Sequence, residues 1–357
     1  MAEILGLGLT HYPPLCVTDD KMAWIMERAL KDPGVPPAQL DPANWPAAMR
    51  AEWGEDRGAR SAAAHRAALV ADFARVRAAL EDFKPDVVLV FGDDQYENFR
   101  EDLIPAFAIL AYDDFEFFPW RHAQDSAGMG EGRPNVWGEG TDKRYRVRGR
   151  RDIAKHLATR LIEANFDLAY AYRPLHHQSL SHAFANALLF LDYDRTLGWD
   201  WPTIPFAVNC YGKAVICARG GMTDIGQELD FDPPSPSPAR FMDLGRATAR
   251  ILRESPWRVA IVASSSWSHA FMCNHTWRLQ PDTVADRRLY DALAARDYAT
   301  WQQTPLASFE HSGQQEMLNW CALLGAMQEL DAPLSWSHFV QTHIFNSNKV
   351  FAIYEPS

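Results

Sequence analysis

The stretch VVLVFGDDQYENF, residues 87–99, joins an apolar run to a polar cluster and decides how the rest of the chain is interpreted. Five consecutive apolar residues, most of them β-branched, predict a buried strand of a parallel or mixed sheet over residues 87–91. Asp93, Asp94 and Gln95 follow this strand almost at once. Because ligands of open α/β sheets bind at the carboxyl ends of the strands, these side chains lie where a functional site is expected. The competing interpretation is a solvated turn after a core strand.

The composition limits the class of protein and of partner. The chain has 357 residues, 47% of them hydrophobic, and a net charge of -11. This charge argues against a nucleic-acid partner, because phosphate binding needs clustered Lys and Arg. The five cysteines are scattered without a CxxC pair, which excludes a disulfide framework or zinc-ribbon spacing. No signal peptide or long apolar segment is recognisable, so we expect a soluble cytoplasmic protein with no membrane partner.

Apolar strands alternate with amphipathic helices along the chain. Further strands are predicted over residues 4–9, 166–172, 204–209, 258–263 and the tail 346–354. Helices are predicted over residues 61–83, 151–165, 182–191, 239–254, 289–301 and 314–330. This alternation predicts an α/β fold with a central mixed, mostly parallel sheet flanked by helices. We expect a single large catalytic domain over residues 1–357.

Histidines follow three of the predicted strands. His11, His177 and His269 each come just after a strand, and the acids at 93–94 follow a fourth. A strand-end histidine taken alone is more often structural than a ligand. If the strands are neighbours in one sheet, however, these side chains converge at one edge, which is the geometry of a metal or acid–base site. Two histidines and a carboxylate with open positions hold the metal of non-haem Fe(II) oxygenases.

The chain resembles the class III extradiol ring-cleavage dioxygenases, the family of the protocatechuate 4,5-dioxygenase β subunits. The resemblance extends over most of the chain in short motifs that keep a fixed order. These motifs are GLTHYPP at 8–14, KPDVV at 84–88 leading to GDDQ at 92–95, IPAFAI at 104–109, His177, IPFAVN at 204–209, SSWSH at 265–269 and EMLNW at 316–320.

The resemblance implies a role for each residue that matches a motif. His11 corresponds to the first metal histidine and Glu316 to the metal carboxylate. His269 corresponds to the acid–base histidine. His177 corresponds to the second active-site histidine, and His176 competes with it because a slip of one residue exchanges them. The residues expected to contact the substrate are Asp94, Tyr12 and His176.

Gln95 departs from the family pattern. The family has an Asp followed by an iron-binding histidine here, whereas this chain has Asp94 followed by Gln95. An amide oxygen is a harder and weaker donor than an imidazole nitrogen. Three outcomes stay open: Gln95 binds metal through its carbonyl oxygen, Asp93 or Asp94 takes the position, or the site binds metal poorly. We take Gln95 as the third ligand.

The function that the resemblance implies is that of an oxidoreductase of aromatic-compound catabolism. A non-haem Fe(II) dioxygenase of this type cleaves the ring of a catechol-like or aminophenol-like substrate with O2, and Mn(II) or another divalent metal is the alternative cofactor. The expected assembly is a homodimer or a higher homo-oligomer. Two other classes stay open because of Gln95: a metal-dependent hydrolase or lyase on the same scaffold, and a non-catalytic binding protein.

Overall fold

The computed structural model describes residues 2–121, 134–174, 176 and 180–356. The strands over these residues are β1 (Ile4–Leu9), β2 (Val87–Asp93), β3 (Phe107–Leu110), β4 (Asp114–Phe117), β5 (Tyr145–Arg148), β6 (Ala169–Ala171), β7 (Thr203–Val208), β8 (Val259–Ser264), β9 (Leu334–Val340) and β10 (Lys349–Tyr354). Eight of them form one sheet in the order β6-β3-β7-β2-β8-β1-β10-β9, and β4 pairs with β5 in a separate ribbon. The predicted α/β class with a mixed sheet is confirmed.

The centre of the sheet is parallel. Strand β8 lies between β2 and β1 and runs parallel to both, and β2 is also parallel to β7. The outer pairs β1–β10, β10–β9 and β3–β7 are antiparallel. The carboxyl ends of β2, β8 and β1 therefore meet at one edge of the sheet, which is where ligands of such folds bind.

Helices cover both faces of the sheet. They are α1 (Trp24–Ala29), α2 (Pro37–Leu40), α3 (Ala47–Trp53), α4 (Ala59–Phe83), α5 (Arg151–Glu163), α6 (His182–Phe190), α7 (Ala214–Cys217), α8 (Pro238–Arg253), α9 (Thr283–Ala294), α10 (Tyr298–Gln303), α11 (Leu306–His311) and α12 (Leu318–Leu330). Alternate residues of a strand point to opposite faces. Val87, Leu89 and Phe91 thus join the core with α5, α8 and α12, while Val88 and Val90 join the core with α4 and α6. No helix of the described residues is long and apolar enough to cross a bilayer.

The pair α8 and α12 crosses at glycines. A Cβ on Gly245 would lie 1.8 Å from the carbonyl oxygen of Ala322, and one on Gly325 would lie 2.1 Å from that of Met242. The absence of both side chains lets the two backbones touch. This close contact fixes α12, whose amino end follows the segment that carries Glu316.

The structure corrects one predicted helix and adds four strands. The helix predicted over 289–301 is wrong in its bounds, because the chain breaks between α9 and α10 at Arg296, where φ is 56°. The Asp297 side chain then accepts a hydrogen bond from the N–H of Thr300 and starts α10. The short strands β3, β4, β5 and β9 were not predicted. Strand β3 is buried, but four apolar residues do not distinguish a strand from a buried helix. The side chains of β4, β5 and β9 are only partly buried, so their sequences lack the continuous apolar pattern of the central strands.

Candidate metal centre

The carboxyl edge of the sheet brings together residues that are far apart in the chain. Asp93 is the last residue of β2, Ser264 is the last residue of β8, and His11 lies two residues beyond β1. Glu316 approaches the same point from a 3-10 turn, Gln315–Met317, directly before α12. The sheet order of β2, β8 and β1 is therefore what makes the three chain segments meet.

His11, Asp93 and Glu316 form a buried cluster. One ligand atom from each lies within 4.8 Å of the others. The Nε2 atom of His11 is 3.3 Å from Oε2 of Glu316 and 4.0 Å from Oδ1 of Asp93. The Oδ2 atom of Asp93 is buried and has no hydrogen-bond partner among the described residues. Two carboxylates that face each other inside a protein need a cation or a proton between them.

The titration of the cluster reflects this crowding. Burial, together with the charge of Glu316, raises the pKa of Asp93 to about 6. Burial by itself would lower the pKa of His11, but the adjacent Glu316 carboxylate raises it above its ordinary value. Burial also opposes ionisation of Glu316, yet His269 and His11 hold its pKa well below the usual range. The site thus favours one ionised carboxylate with positive charge beside it.

Main-chain groups fix the orientation of the cluster. His11 Nδ1 lies 3.1 Å from the carbonyl oxygen of Ser264, which can only accept, so Nδ1 carries a proton and Nε2 is the nitrogen that faces the cluster. The Asn319 amide donates to Oδ1 of Asp93 and to the same carbonyl, each at 3.2 Å. The N–H of Ser266 donates to Glu316 Oε2 at 3.0 Å. Metal-binding histidines commonly have such a carbonyl partner on the second ring nitrogen.

Three polar side chains lie around the second carboxylate oxygen of Glu316, Oε1. The Tyr211 hydroxyl donates to Oε1, and His269 Nε2 lies 3.2 Å from it. The amide nitrogen of Gln95 lies 3.4 Å from the same oxygen and 2.9 Å from the Tyr211 hydroxyl. His269 Nδ1 is buried and without a hydrogen-bond partner among the described residues. The structure therefore brings Gln95 and His269 to the cluster, as expected of neighbours of a reacting centre.

Two polar residues of α6 also face the site, and the sequence analysis assigned no role to either. His182 Nε2 lies 3.5 Å from the Gln95 amide nitrogen, while its Nδ1 donates to Oε1 of Glu97. Burial lowers the pKa of His182, but the Glu97 carboxylate raises it, to about 9 in all. Asn186, one turn later, donates to the main-chain carbonyl of His11 at 3.0 Å. The available signal was two polar residues at i and i+4 in an otherwise apolar helix.

The expected substrate contacts lie elsewhere or outside the described residues. The Asp94 carboxylate accepts main-chain N–H groups of residues 97–99, and burial raises its pKa to about 7. The Tyr12 ring is buried beneath the Lys349 ammonium, 3.5 Å from the ring centroid. His176 lies at the surface, where it pairs with Asp102. His177 lies outside the described residues.

A cavity of about 410 Å³ lies beside the cluster. Tyr211 and Gln315 line it. Tyr211 is hydrogen-bonded to Glu316, and Gln315 precedes Glu316 in the chain. Its apolar lining includes Val215, Met222, Phe231, Phe271 and Met272. Lys213 and Arg278 also line it. Lys213 pairs with Glu310, so the cavity combines an apolar surface with a few charged groups.

The residues of the cluster fit a divalent metal ion. One imidazole nitrogen and two carboxylates are ligands that Fe(II), Mn(II) and Zn(II) accept. The buried Oδ2 of Asp93, which has no partner among the described residues, and the inward-facing Nε2 of His11 are both features that a cation would satisfy. The arrangement supports Lewis-acid or redox chemistry, with His269 as a group that can exchange protons.

Comparison with known proteins finds similarity to ring-opening dioxygenases over parts of the chain. Residues 232–352 match the family described as the catalytic LigB subunit of aromatic ring-opening dioxygenase. A 2,3-dihydroxyphenylpropionate/2,3-dihydroxicinnamic acid 1,2-dioxygenase of Photorhabdus laumondii is 24% identical over 197 residues, which are 55% of this chain and 47% of the relative. The chain thus spans about half the length of the curated relatives that it matches first.

Two further similarities extend over more of the chain. A protein of the same name from Rhodococcus sp is 24% identical over 290 residues, which cover 73% of this chain and 82% of the relative. A crystal structure of the uncharacterized protein JW3007 from Escherichia coli K12 aligns with a TM-score of 0.42 at 13% identity, covering 79% of this chain and 91% of that one.

Proposed function

We propose that the protein is a non-haem Fe(II) enzyme that opens a catechol-like or aminophenol-like ring with O2. The similarity of residues 232–352 to the LigB family of the class III extradiol dioxygenases supports this proposal. The observation that carries this proposal is the buried cluster of His11, Asp93 and Glu316 at the carboxyl edge of the sheet. The comparisons do not favour the alternative of a hydrolase, lyase or binding protein.

In this proposal His11 and Glu316 hold the metal, and Gln95 and Asp93 are the candidates for the remaining position. Bound Fe(II) would supply a Lewis acid for the two substrate heteroatoms and a redox centre for O2. The surrounding main-chain bonds keep the ligands in place, and burial of the cluster excludes bulk water. The net reaction breaks one ring C–C bond beside the diol and incorporates both oxygen atoms of O2 into the product.

His269 is the proposed proton-transfer residue. Its ring touches Glu316 through Nε2 and has no partner at Nδ1 among the described residues, so it can take the proton that a substrate hydroxyl loses and return it later. Tyr211, which donates to Glu316 and lines the cavity, orients the carboxylate toward the substrate side. His177 retains its proposed role as the second active-site histidine. Asp94, Tyr12 and His176, the expected substrate contacts, are not among the residues that line the proposed substrate cavity.

The cavity next to Tyr211 is the proposed substrate pocket. Its apolar lining from Phe271, Met272 and Val215 suits an aromatic ring with an apolar substituent. Lys213 and Arg278 offer hydrogen bonds to an anionic end of that substituent. The names of the relatives describe action on dihydroxyphenylpropionate and dihydroxycinnamic acid, which have this character, and we extend that substrate class to this chain.

Oxygen uptake tests the proposal. The protein is loaded with Fe(II) without oxygen, mixed with a panel of catechols and aminophenols with and without carboxylate side chains, and then exposed to O2. We expect one O2 consumed for each ring opened, with the absorbance of a ring-opened product. His338→Ala, which alters a half-exposed histidine paired with Asp72, is the matched control and should leave the rate unchanged. Absence of oxygen uptake with every substrate in the Fe(II)-loaded protein would overturn the proposal.

We also propose a cytoplasmic homo-oligomer in which residues 1–357 form one catalytic domain. The cysteines are all free thiols, which is typical of proteins in a reducing compartment. Light scattering of the purified protein gives the oligomeric state, and a mass equal to one chain would contradict this part of the proposal.

A further inference from the structure

We propose that His182, from α6, is a ligand of the same metal ion and supplies the imidazole that Gln95 does not. The inference rests on the proposed metal centre of His11 and Glu316. It adds an imidazole from another element of the fold.

The His182 ring lies beside the cluster. Its centroid is 5.0 Å from that of His11, and the two ring planes are nearly perpendicular, at 82°. Two imidazoles that share one ion through nitrogen–metal bonds of about 2.1 Å have their rings at a comparable separation. The spacing of His11 and His182 is therefore compatible with a common ion.

The Glu97 carboxylate, on the side of the ring away from the cluster, fixes the orientation of His182. Glu97 accepts the ring Nδ1–H through Oε1 and the main-chain N–H of His182 through Oε2, at 2.8 Å. The carboxylate thus lies at the amino end of α6, where the helix dipole favours a negative charge. Because Nδ1 donates to Glu97, Nε2 is the ring nitrogen that faces the cluster, and it can bind a metal ion that displaces its proton. A carboxylate behind a histidine is a common outer partner of a metal-binding imidazole.

The Gln95 amide separates His182 from Glu316. Its nitrogen lies 2.9, 3.4 and 3.5 Å from Oη of Tyr211, Oε1 of Glu316 and Nε2 of His182. A donor group beside two acceptor oxygens and an imidazole nitrogen marks a position that a cation could also fill. Turning the Gln95 amide by about 180° would put its carbonyl oxygen in place of the nitrogen, so an ion there would contact both that oxygen and His182 Nε2. Imidazole is neutral, so this added ligand leaves the charge of the ligand set unchanged.

The purely structural interpretation makes a different prediction. A buried His182–Glu97 pair could simply fasten the loop after β2 to α6, since the N–H of Ser181 also donates to the Asn98 side chain in that loop. In that case, removing the imidazole would reduce stability and leave the metal affinity of the folded protein unchanged. Metal affinity and the number of coordinated imidazoles therefore separate the two roles without any measurement of activity.

The experiment measures Co(II) affinity by competition with a chelator and counts imidazoles by pulsed EPR of the protein loaded with one equivalent of Cu(II). We expect His182→Ala to weaken Co(II) binding by more than about 100-fold, beyond the range of changes outside the ligand set. The imidazole count should fall from two to one. Glu97→Gln, which alters only the outer partner, should weaken binding by about 10- to 100-fold. His338→Ala should bind Co(II) like the wild type.

A double variant makes the test independent of a folding defect. Gln95→His in the His182→Ala background returns an imidazole to the other side of the site, and we expect it to restore most of the lost affinity and the count of two. Wild-type affinity and imidazole count in folded His182→Ala, or no recovery in the double variant, would overturn the inference. Unchanged binding in His11→Ala would instead overturn the proposed metal centre itself. If His182→Ala does not fold, His182→Gln is measured in its place with the same criteria.

Discussion

His11 and Ser264 are joined by a hydrogen bond from the ring Nδ1 to the main-chain carbonyl, 3.1 Å long, across two adjacent parallel strands. Because the carbonyl belongs to the last residue of β8, the sheet itself sets the tautomer and direction of the imidazole. The Nε2 atom then faces Glu316, 3.3 Å away. The proposed metal centre is thus oriented by the main chain.

Removing either proposed ligand should abolish metal retention. We expect His11→Ala and Glu316→Ala to lose Fe(II) on purification, since each removes a donor that faces the other inside the protein. Metal analysis of the purified variants measures this, with thermal melting to show that they are folded. His338→Ala serves as the control. Iron content equal to that of the wild type in both variants would contradict the assignment.

His269 should affect the rate and leave the metal in place. Its Nδ1 is free of partners among the described residues and its Nε2 lies beside Glu316, as suits a proton-transfer group. His269→Ala should keep Fe(II) and lose about 10²- to 10⁴-fold in turnover, the usual contribution of general acid–base catalysis. Single-turnover oxygen consumption at matched iron content is the measurement. Normal turnover would eliminate this role, whereas loss of iron would make His269 a ligand.

The sequence predicted the fold class and the proximity of His11 to the acids after β2. Both follow from the strands, because residues that come just after parallel strands lie at the same edge of the sheet. Buried strands such as β2 and β8 are apolar without interruption, and parallel strands place their carboxyl ends together. Only the sheet order, however, establishes that β8 lies between β2 and β1. That order depends on long-range pairing, which a local pattern does not encode.

The parts of the site that were not predicted depend on side-chain direction. Asp94 and Asp93 are adjacent, yet Asp94 bonds to its own loop while Asp93 faces the cluster. His182 is on a helix and follows no strand, so the pattern of residues just after strands did not include it. The sequence places His182 on a helix, but its contact with Gln95 depends on how α6 packs against β2.

The crossing of α8 and α12 should be sensitive to a single methyl group. A Cβ on Gly245 would lie 1.8 Å from the Ala322 carbonyl oxygen, so the helices must separate. We expect Gly245→Ala to lower the free energy of unfolding by about 1–3 kcal/mol, the usual cost of overpacking. Urea unfolding measures it. Asp243→Ala, on the exposed face of the same helix, should change it by less than about 0.5 kcal/mol. Equal stability of the two variants would contradict the crossing geometry.

Asp286 should make stability depend on pH. Burial raises the pKa of this carboxyl to about 7, although Ser268, Gln314 and Asn348 donate to it. A raised pKa means that the folded state holds the proton more tightly than the unfolded state. Its contribution to stability is therefore present below about pH 4, the ordinary Asp pKa, and is lost as the pH rises to about 7.

The comparison of wild type with Asp286→Asn isolates this effect. The variant cannot ionise, so its free energy of unfolding should fall less between pH 5 and pH 8 than that of the wild type, by an amount on the order of 1–3 kcal/mol. Its stability at pH 5 should be lower, because an amide nitrogen replaces one of the acceptor oxygens. Urea unfolding at both pH values measures the two slopes. Parallel slopes would exclude Asp286 as the titrating group.

Gln95 should set the strength of metal binding. Its amide nitrogen now contacts Tyr211 and Glu316, at 2.9 and 3.4 Å, so the side chain already reaches the ligand carboxylate. An imidazole at this position is a stronger donor than an amide oxygen and carries the same neutral charge. We expect Gln95→His to tighten Fe(II) binding by about 10- to 100-fold and Gln95→Ala to weaken it. Chelator competition under anaerobic conditions gives both constants, and thermal melting without metal detects any strain from the larger ring beside Tyr211.

A crystal structure of the metal-loaded wild type shows which atom occupies the third position. If Gln95 were turned away and Asp93 bound in its place, both substitutions at position 95 should leave the affinity unchanged, and the amide would be excluded as a ligand.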